Sequence, residues 1–243
     1  MERQSAIAFT GRCRGRRRQA AHLLAAVCVL LQVVGAWGRG AVANIGPTAE
    51  RTWVDAWAVS YLPTTVNGAP QAVPTFDNQT LRLNMFLKLG GTALRVKLTN
   101  RFATHPLVVG GAHVASRQSA AGPDIIPETD HGLTFAGART LRLDPGKEVW
   151  SDPADLAVKQ HEDVAVSLFL PEPTTPEAFH PVGLKTQYIV AGDHCGDATF
   201  SPAGPGSRTT MYFFVSGVQV MAPARSKVIV AMGDSITDGA ASA

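Results

Sequence analysis

The chain has 243 residues, of which 45% are hydrophobic, so it can bury one sizeable core and still carry part of a second unit. Its formal net charge of +3 comes from the first 43 residues, which hold seven arginines and one glutamate. The remainder keeps 15 of the 22 Lys and Arg residues and 18 of the 19 Asp and Glu residues, a net charge of −3 without a basic cluster. This balance argues against a nucleic-acid partner and against attachment to an anionic membrane surface.

The front end of the chain has the three parts of an export signal. Arginines dominate residues 12–18, an apolar stretch covers residues 23–34, and Ala41-Val42-Ala43 supplies a small-x-small cleavage pattern. This order predicts a secretory signal peptide over residues 1–43, removed before Asn44, and therefore a secreted or periplasmic protein. The apolar stretch is short for a permanent span, so we expect no stable membrane insertion after cleavage; a retained anchor is the alternative.

Two further features of the signal segment bear on export. Arg17-Arg18 stands directly before the apolar stretch, as in a twin-arginine signal, but Gln19-Ala20-Ala21 fits that signal poorly, and the general secretory route stays open. Cys13 and Cys28 leave with the segment, so Cys195 is the one remaining thiol and we expect no intramolecular disulfide.

The body of the chain has the period-two pattern of β-strands. Apolar and polar side chains alternate over residues 81–89 and again over 94–98, and Gly90-Gly91 between them predicts a β-hairpin with a two-glycine turn. A second clear strand covers residues 163–170. Further strands are predicted at residues 54–61, 107–116, 139–143, 187–190 and 210–220. Eight to ten strands with almost no helical periodicity predict an antiparallel, jelly-roll-like β-sandwich over residues 44–222.

Two groups of side chains on this predicted sandwich have both a functional and a structural interpretation. Trp53, Trp57 and Tyr61 fall four residues apart on a predicted strand, which places them on one face. They stack on sugar rings in one interpretation, and fill the core or a domain joint in the other. Asn100-Arg101 follows a strand, where it either holds a ligand carboxylate or forms a turn with a solvated arginine.

The last eighteen residues change character after a short proline-bearing linker at residues 222–225. Residues 227–232 form a nearly continuous apolar run, as in a buried parallel strand, and Gly233-Asp234-Ser235-Ile236-Thr237 follows it. A strand that ends in this motif predicts a sharp turn that presents Ser235 as a nucleophile at the start of a helix, with Gly233 and Asp234 shaping the turn. The unpaired N–H groups of that helix start would stabilise negative charge on a tetrahedral intermediate.

This motif resembles the first signature block of the SGNH (GDSL-type) ester hydrolases. Upstream segments are similar to the β-rich domain that precedes the hydrolase domain in one secreted branch of that family; they are residues 53–57, 78–89, 91–102, 179–192 and 212–220. The resemblance implies that residues 226–243 begin a truncated α/β, flavodoxin-like hydrolase domain. It also implies acyl-ester hydrolysis with Ser235 as nucleophile and its own N–H as one oxyanion donor. The family's later blocks, with the oxyanion-hole Gly and Asn and the Asp-x-x-His, have no counterpart in this sequence.

No segment of the chain stands out as the missing base or as a metal site. Two stretches have carboxylate-x-x-His spacing, Glu128-Thr129-Asp130-His131 and Glu177-Ala178-Phe179-His180, and we predict exposed loop histidines at both. Asp193-His194-Cys195 lacks the ligand spacing of a metal motif. We therefore expect neither a metal nor a cofactor.

The sequence as a whole favours the N-terminal portion of a secreted SGNH-type hydrolase that acts on ester bonds of carbohydrates, plant polymers or lipids. The alternative is a stand-alone carbohydrate-binding or interaction module with a vestigial catalytic strand. The expected partner is an ester substrate, and a carbohydrate ester is one candidate.

Overall fold

The computed structural model of the chain describes residues 50–66, 69–231 and 233–238. The predicted signal peptide and its cleavage position lie outside these residues. The strands are β1 (Arg51–Ala58), β2 (Leu62–Pro63), β3 (Thr65–Val66), β4 (Ala69–Pro70), β5 (Gln79–Leu87), β6 (Leu94–Thr99), β7 (Leu107–Val109), β8 (Gly111–Ser116), β9 (His131–Gly132), β10 (Leu141–Leu143), β11 (Glu148–Trp150), β12 (Glu162–Leu170), β13 (Ala178–Phe179), β14 (Gln187–Ala191), β15 (Arg208–Thr209) and β16 (Val215–Pro223). The helical segments of the described part are a 3-10 turn, Pro127–Thr129, and α1, Ser235–Asp238. Neither approaches the length and apolar character that a membrane-crossing helix needs.

Two antiparallel sheets share one hydrophobic core. The first has four strands in the order β1-β16-β6-β11, and the second has six in the order β15-β14-β5-β12-β8-β9. One cluster of buried apolar side chains draws on both sheets. These features confirm a mainly β, antiparallel sandwich. The α/β hydrolase part stays a prediction, since the strand pairs of the described residues are all antiparallel.

The alternation of β5 and β12 builds the centre of the core. The two strands pair over nine residues, with Leu83 opposite Val166. The inward side chains of both strands are 0–1% exposed; they are Leu81, Leu83, Met85, Leu87, Val164, Val166, Leu168 and Leu170. Each side chain of this size contributes roughly 1.5–3 kcal/mol when it leaves water. The predicted strand over residues 163–170 is therefore confirmed.

The predicted hairpin over residues 81–98 is wrong, because β5 and β6 lie in different sheets. Gly90 and Gly91 form the crossing between them. The Gly91 N–H donates to the Val158 carbonyl at 2.9 Å, and a Cβ atom on Gly90 would lie 2.7 Å from that same oxygen. The two glycines thus allow the crossing segment to lie close to the backbone of residues 158–160, whereas the sequence pattern indicated a two-residue turn.

The other predicted strands are present with shifted bounds. The predicted strand over residues 107–116 is two strands, because the chain leaves one sheet at Gly110, whose N–H donates to the Phe169 carbonyl at 2.9 Å. β7 pairs with β10, and β8 pairs with β12. The predicted strand over residues 210–220 begins five residues later, as β16, and continues to Pro223.

The predicted strand over residues 227–232 is not formed in the described residues 227–231, and Met232 lies outside them. Val228, Ile229 and Val230 are 46%, 94% and 76% exposed. A β-strand needs a neighbour to pair its backbone N–H and C=O groups, and none lies beside this segment in the described structure. In the described structure, the apolar side chains of this run are therefore left largely exposed to solvent.

We expect removal of residues 227–243 to leave the stability of the sandwich nearly unchanged and to improve its solubility. The Ala224 N–H donates to the carbonyl of Glu50, the residue before β1, at 2.7 Å, and this deletion keeps that contact. The expected change in the free energy of unfolding is within about 0.5 kcal/mol. Thermal melting of both forms measures it. A melting temperature lowered by several degrees would show that the tail docks on the sandwich.

Candidate functional site

The predicted nucleophile turn has a tight backbone. Ser235 begins α1, and the Asp234 Oδ1 accepts a hydrogen bond from the Ile236 N–H at 3.0 Å. A Cβ atom on Gly233 would lie 2.6 Å from the Thr237 Cβ, so a side chain at residue 233 would force the turn to open. The backbone thus turns sharply into a short helix at Ser235. The Ser235 side chain lies outside the described residues.

Neither carboxylate-x-x-His stretch pairs its carboxylate with its own histidine; Glu177 instead lies 3.0 Å from the Nδ1 of His105. The Nδ1 of His131 contacts the Thr129 carbonyl at 2.8 Å. His180 bridges two backbone carbonyls, with Nδ1 3.1 Å from Ser60 O and Nε2 3.1 Å from Val182 O. His131 lies on β9 and is partly buried, so the prediction of an exposed loop histidine is wrong there. The His180 ring makes its hydrogen bonds at the surface and ties the chain to the Ser60 carbonyl.

A carboxylate–histidine pair that sequence analysis missed lies on the outer side of the six-stranded sheet. The Nδ1 of His113 on β8 lies 2.8 Å from the Oδ2 of Asp130. The second oxygen of Asp130 is buried without a hydrogen-bond partner among the described residues. Gly196 lies against the pair, since a Cβ there would be 3.1 Å from the His113 ring. The two residues are 17 positions apart, a spacing that marks no motif.

The loop of residues 193–197 binds an arginine of the sandwich. Arg82 on β5 is fully buried, and its Nη2 donates to the carbonyls of His194, Cys195 and Asp197 at 2.9–3.2 Å. The remaining donors of its guanidinium reach Ser167 Oγ at 2.9 Å and Pro123 O at 3.2 Å. Among the described residues no group of three or more His, Cys, Asp and Glu side chains is arranged to hold a metal ion.

Burial shifts the pKa values of Arg82 and of Cys195 in this loop. Burial lowers the pKa of Arg82 to about 10, which is still high enough for the guanidinium to stay charged at neutral pH. The Phe200 ring covers the guanidinium, with its centroid 4.2 Å from Cζ. Burial also raises the pKa of the Cys195 thiol well above its usual range. A thiol that stays protonated is a poor nucleophile. The segment therefore serves to close the sheet over Arg82.

Asn100 has a structural role in the turn after β6. Its Nδ2 donates to the His105 carbonyl at 2.8 Å and to the Leu143 carbonyl at 3.0 Å. Arg101 is exposed and lies over the Phe102 ring, with Cζ 5.9 Å from the ring centroid. The structural interpretation of Asn100-Arg101 as a turn with a solvated arginine describes this arrangement.

The three aromatic residues near the start of the sandwich do not share a face. A β-bulge between Asp55 and Trp57 changes the register of β1, so Trp57 turns inward and packs on Tyr212 with ring centroids 5.1 Å apart. The Tyr61 hydroxyl donates to the Val215 carbonyl at 2.7 Å. Trp53 stays on the outer side of the four-stranded sheet. The prediction that all three lie on one face is wrong because one extra residue reverses the alternation.

Trp53 belongs instead to a stack across the outer face of the four-stranded sheet. The Arg95 guanidinium on β6 lies between two indoles, with Cζ 4.7 Å from the Trp53 ring centroid and 4.8 Å from the Trp150 ring centroid. Gln219 on β16 holds this guanidinium, because its Oε1 accepts from Nε at 2.9 Å and from Nη2 at 2.6 Å. A Cβ atom on Gly217 would lie 3.4 Å from the tip of the Trp150 ring, which rests over the glycine. Each of the four strands contributes one of these side chains.

Comparison with known proteins adds no family to this picture. No family model matches the chain, and no curated protein matches its sequence. The class of molecule that the fold defines is an antiparallel β-sandwich. The resemblance to SGNH hydrolases rests on the motif at residues 233–239 and on the upstream segments described above.

Proposed function

We propose that the chain is the N-terminal portion of a secreted SGNH-type hydrolase that cleaves ester bonds with Ser235 as nucleophile. The observation that carries the proposal is the heptapeptide of residues 233–239, Gly-Asp-Ser-Ile-Thr-Asp-Gly. The close approach of Gly233 to Thr237 supports it, since a sharp turn into a helix start is the backbone that such a nucleophile needs.

In the proposed reaction the Ser235 hydroxyl attacks the ester carbonyl while a histidine accepts the serine proton and an aspartate orients that histidine. The N–H of Ser235 donates one hydrogen bond to the oxyanion of the tetrahedral intermediate. His113 pairs with Asp130 on the sandwich, but the resemblance implies that the base and the orienting acid lie in the family's later blocks, so we assign both to a hydrolase domain beyond the described residues. The substrates are esters of carbohydrates, plant polymers or lipids.

The exposed apolar run before the motif also supports the proposal. Val228, Ile229 and Val230 have no cover in the described structure. Three consecutive apolar side chains point to both sides of a strand, so such a segment is stable when helices cover both faces of its sheet. An α/β hydrolase domain supplies that environment, and the export signal predicted at residues 1–43 would place the enzyme outside the cytoplasm.

Residues 44–243 alone are expected to show no serine-dependent esterase activity, because the parts of a catalytic triad act as a unit. Turnover of p-nitrophenyl acetate by this polypeptide should equal that of its Ser235→Ala variant within error. A burst of p-nitrophenol that disappears in Ser235→Ala would show that a base within residues 44–243 activates the serine. That result would overturn the assignment of the base to another domain.

A further inference from the structure

The asparagines of the described structure differ in how their side chains are held. Asn84 and Asn100 are buried, and the Nδ2 of each donates to a backbone carbonyl, that of Thr186 at 2.7 Å and that of His105 at 2.8 Å. Asn78, in the bend before β5, is exposed, and its side-chain amide has no hydrogen-bond partner among the described residues. The Asn78 amide is therefore open to chemistry that the other two amides cannot undergo.

The two residues after Asn78 indicate which chemistry this is. Asn78-Gln79-Thr80 is an Asn-x-Ser/Thr sequence, and none of the other asparagines of the chain is followed by Ser or Thr at that spacing. This is the acceptor sequence for N-linked glycosylation. A structural reason for the asparagine exists as well, since its φ of 46° lies in the left-handed region that Asn tolerates. That backbone explains the residue type but leaves the exposed amide without a role.

The backbone places Asn78 at the rim of the six-stranded sheet. Its carbonyl accepts from the Gly192 N–H at 2.7 Å, which anchors the bend. Gln79 begins β5 and pairs with Leu170 at the end of β12 and with Ala191 at the end of β14. Asn78 thus lies just outside the paired region, and Ala191 beside it is also exposed. A bulky polar group on Asn78 would extend into solvent and displace no core side chain.

Thr80 limits when such a group can be added. In the folded sandwich its side chain is 0% exposed, and its Oγ1 donates to the Gly192 carbonyl at 2.6 Å and accepts from the His194 N–H at 2.9 Å. A glycosyl transferase that recognises this hydroxyl cannot reach it once β5 lies between β14 and β12. The transfer therefore has to precede folding, as it does when an unfolded chain enters an exporting compartment.

We propose that Asn78 is an N-glycosylation site that is modified before the sandwich folds. In the transfer, the Asn78 Nδ2 forms a bond to the anomeric carbon of the first sugar of a lipid-linked oligosaccharide diphosphate. The bond from that carbon to the diphosphate oxygen breaks, the lipid diphosphate leaves, and one amide proton passes to a base of the transferase. The site uses the export signal predicted at residues 1–43 but does not depend on the proposed esterase activity.

Cell-free translation in the presence of endoplasmic-reticulum microsomes tests the site. One form is the chain of residues 1–243, and a second carries a well-characterised cleavable signal in place of residues 1–43. Protection from added protease identifies the chains that crossed the membrane. We expect the protected chains to migrate more slowly in gels, and endoglycosidase H should remove the shift. Peptide N-glycosidase F should convert Asn78 to an aspartate that mass spectrometry of the peptide detects.

Asn78→Asp should abolish the shift, since aspartate tolerates the left-handed backbone but offers no amide nitrogen. Thr80→Ser is the matched control, because it keeps the hydroxyl and should keep the shift, whereas Thr80→Val should lose it. Since the transfer precedes folding, the readout does not require these variants to fold. Folded, unmodified residues 44–243 incubated with solubilised transferase and lipid-linked oligosaccharide should stay unmodified.

The proposal is overturned if protected chains show no shift, if Asn78→Asp keeps the shift, or if the folded polypeptide is modified as fully as the nascent chain. If only the form with the replaced signal is protected, the export prediction for residues 1–43 fails, and the shift of that form still decides for or against Asn78. Neither result bears on Ser235, so failure of this proposal is distinct from failure of the proposed ester hydrolysis.

Discussion

Replacing Arg82 with methionine is expected to lower the free energy of unfolding by about 3–5 kcal/mol, because several acceptors lose one charged donor at once. The methionine fills part of the volume but leaves the carbonyls of Pro123, His194, Cys195 and Asp197 without their donor. Each buried acceptor that loses its partner costs about 1–3 kcal/mol. For a domain of this size the melting temperature should fall by roughly 6–20 °C.

Arg142→Met is the control for this experiment, because Arg142 also lies on a strand but is exposed. Its melting temperature should stay within a degree or two of the wild type. If Arg82→Met and Arg142→Met have the same melting temperature, then the carbonyls around Arg82 find water or other donors. The loop of residues 193–197 would then not depend on this arginine.

The alternation of apolar residues was enough to predict the sandwich, because burial on one face of a strand imposes a period of two. β5 and β12 show this directly, since all eight inward positions were readable from the sequence. The same pattern could not place Arg82. Period two assigns it to the outer face, where an arginine is usually solvated, whereas loops from residues 123 and 193–200 bury it.

Two local features made the sequence-based predictions of a strand connection and of a side-chain face wrong. Gly90-Gly91 has the composition of a hairpin turn, but these glycines serve a crossing between sheets, and only the position of Val158 reveals it. The bulge after Asp55 adds one residue to β1 and reverses the facing of Trp57. Neither feature has a signal that distinguishes it in a single sequence.

The nucleophile motif could be predicted from the sequence, whereas the cluster of Trp53, Arg95, Trp150 and Gln219 could not. Residues 233–237 are contiguous, so the sequence alone indicates a turn and a helix start. Trp53, Arg95, Trp150 and Gln219 come from four strands that are distant in the chain and meet only in the order β1-β16-β6-β11. His113 and Asp130 likewise meet through the fold. Sites of this kind become visible once strand order and register are known.

The measurement that tests the central claim most directly is ester hydrolysis by the polypeptide extended through the reading frame that follows codon 243. The account predicts that this frame encodes an Asp-x-x-His segment and that the extended protein hydrolyses p-nitrophenyl acetate. Ser235→Ala should then lower kcat roughly 10⁴- to 10⁶-fold, while Ser226→Ala, in the turn after β16, leaves it unchanged. A stop codon directly after Ala243, or full activity in Ser235→Ala, would contradict the assignment of Ser235 as the nucleophile of an ester hydrolase.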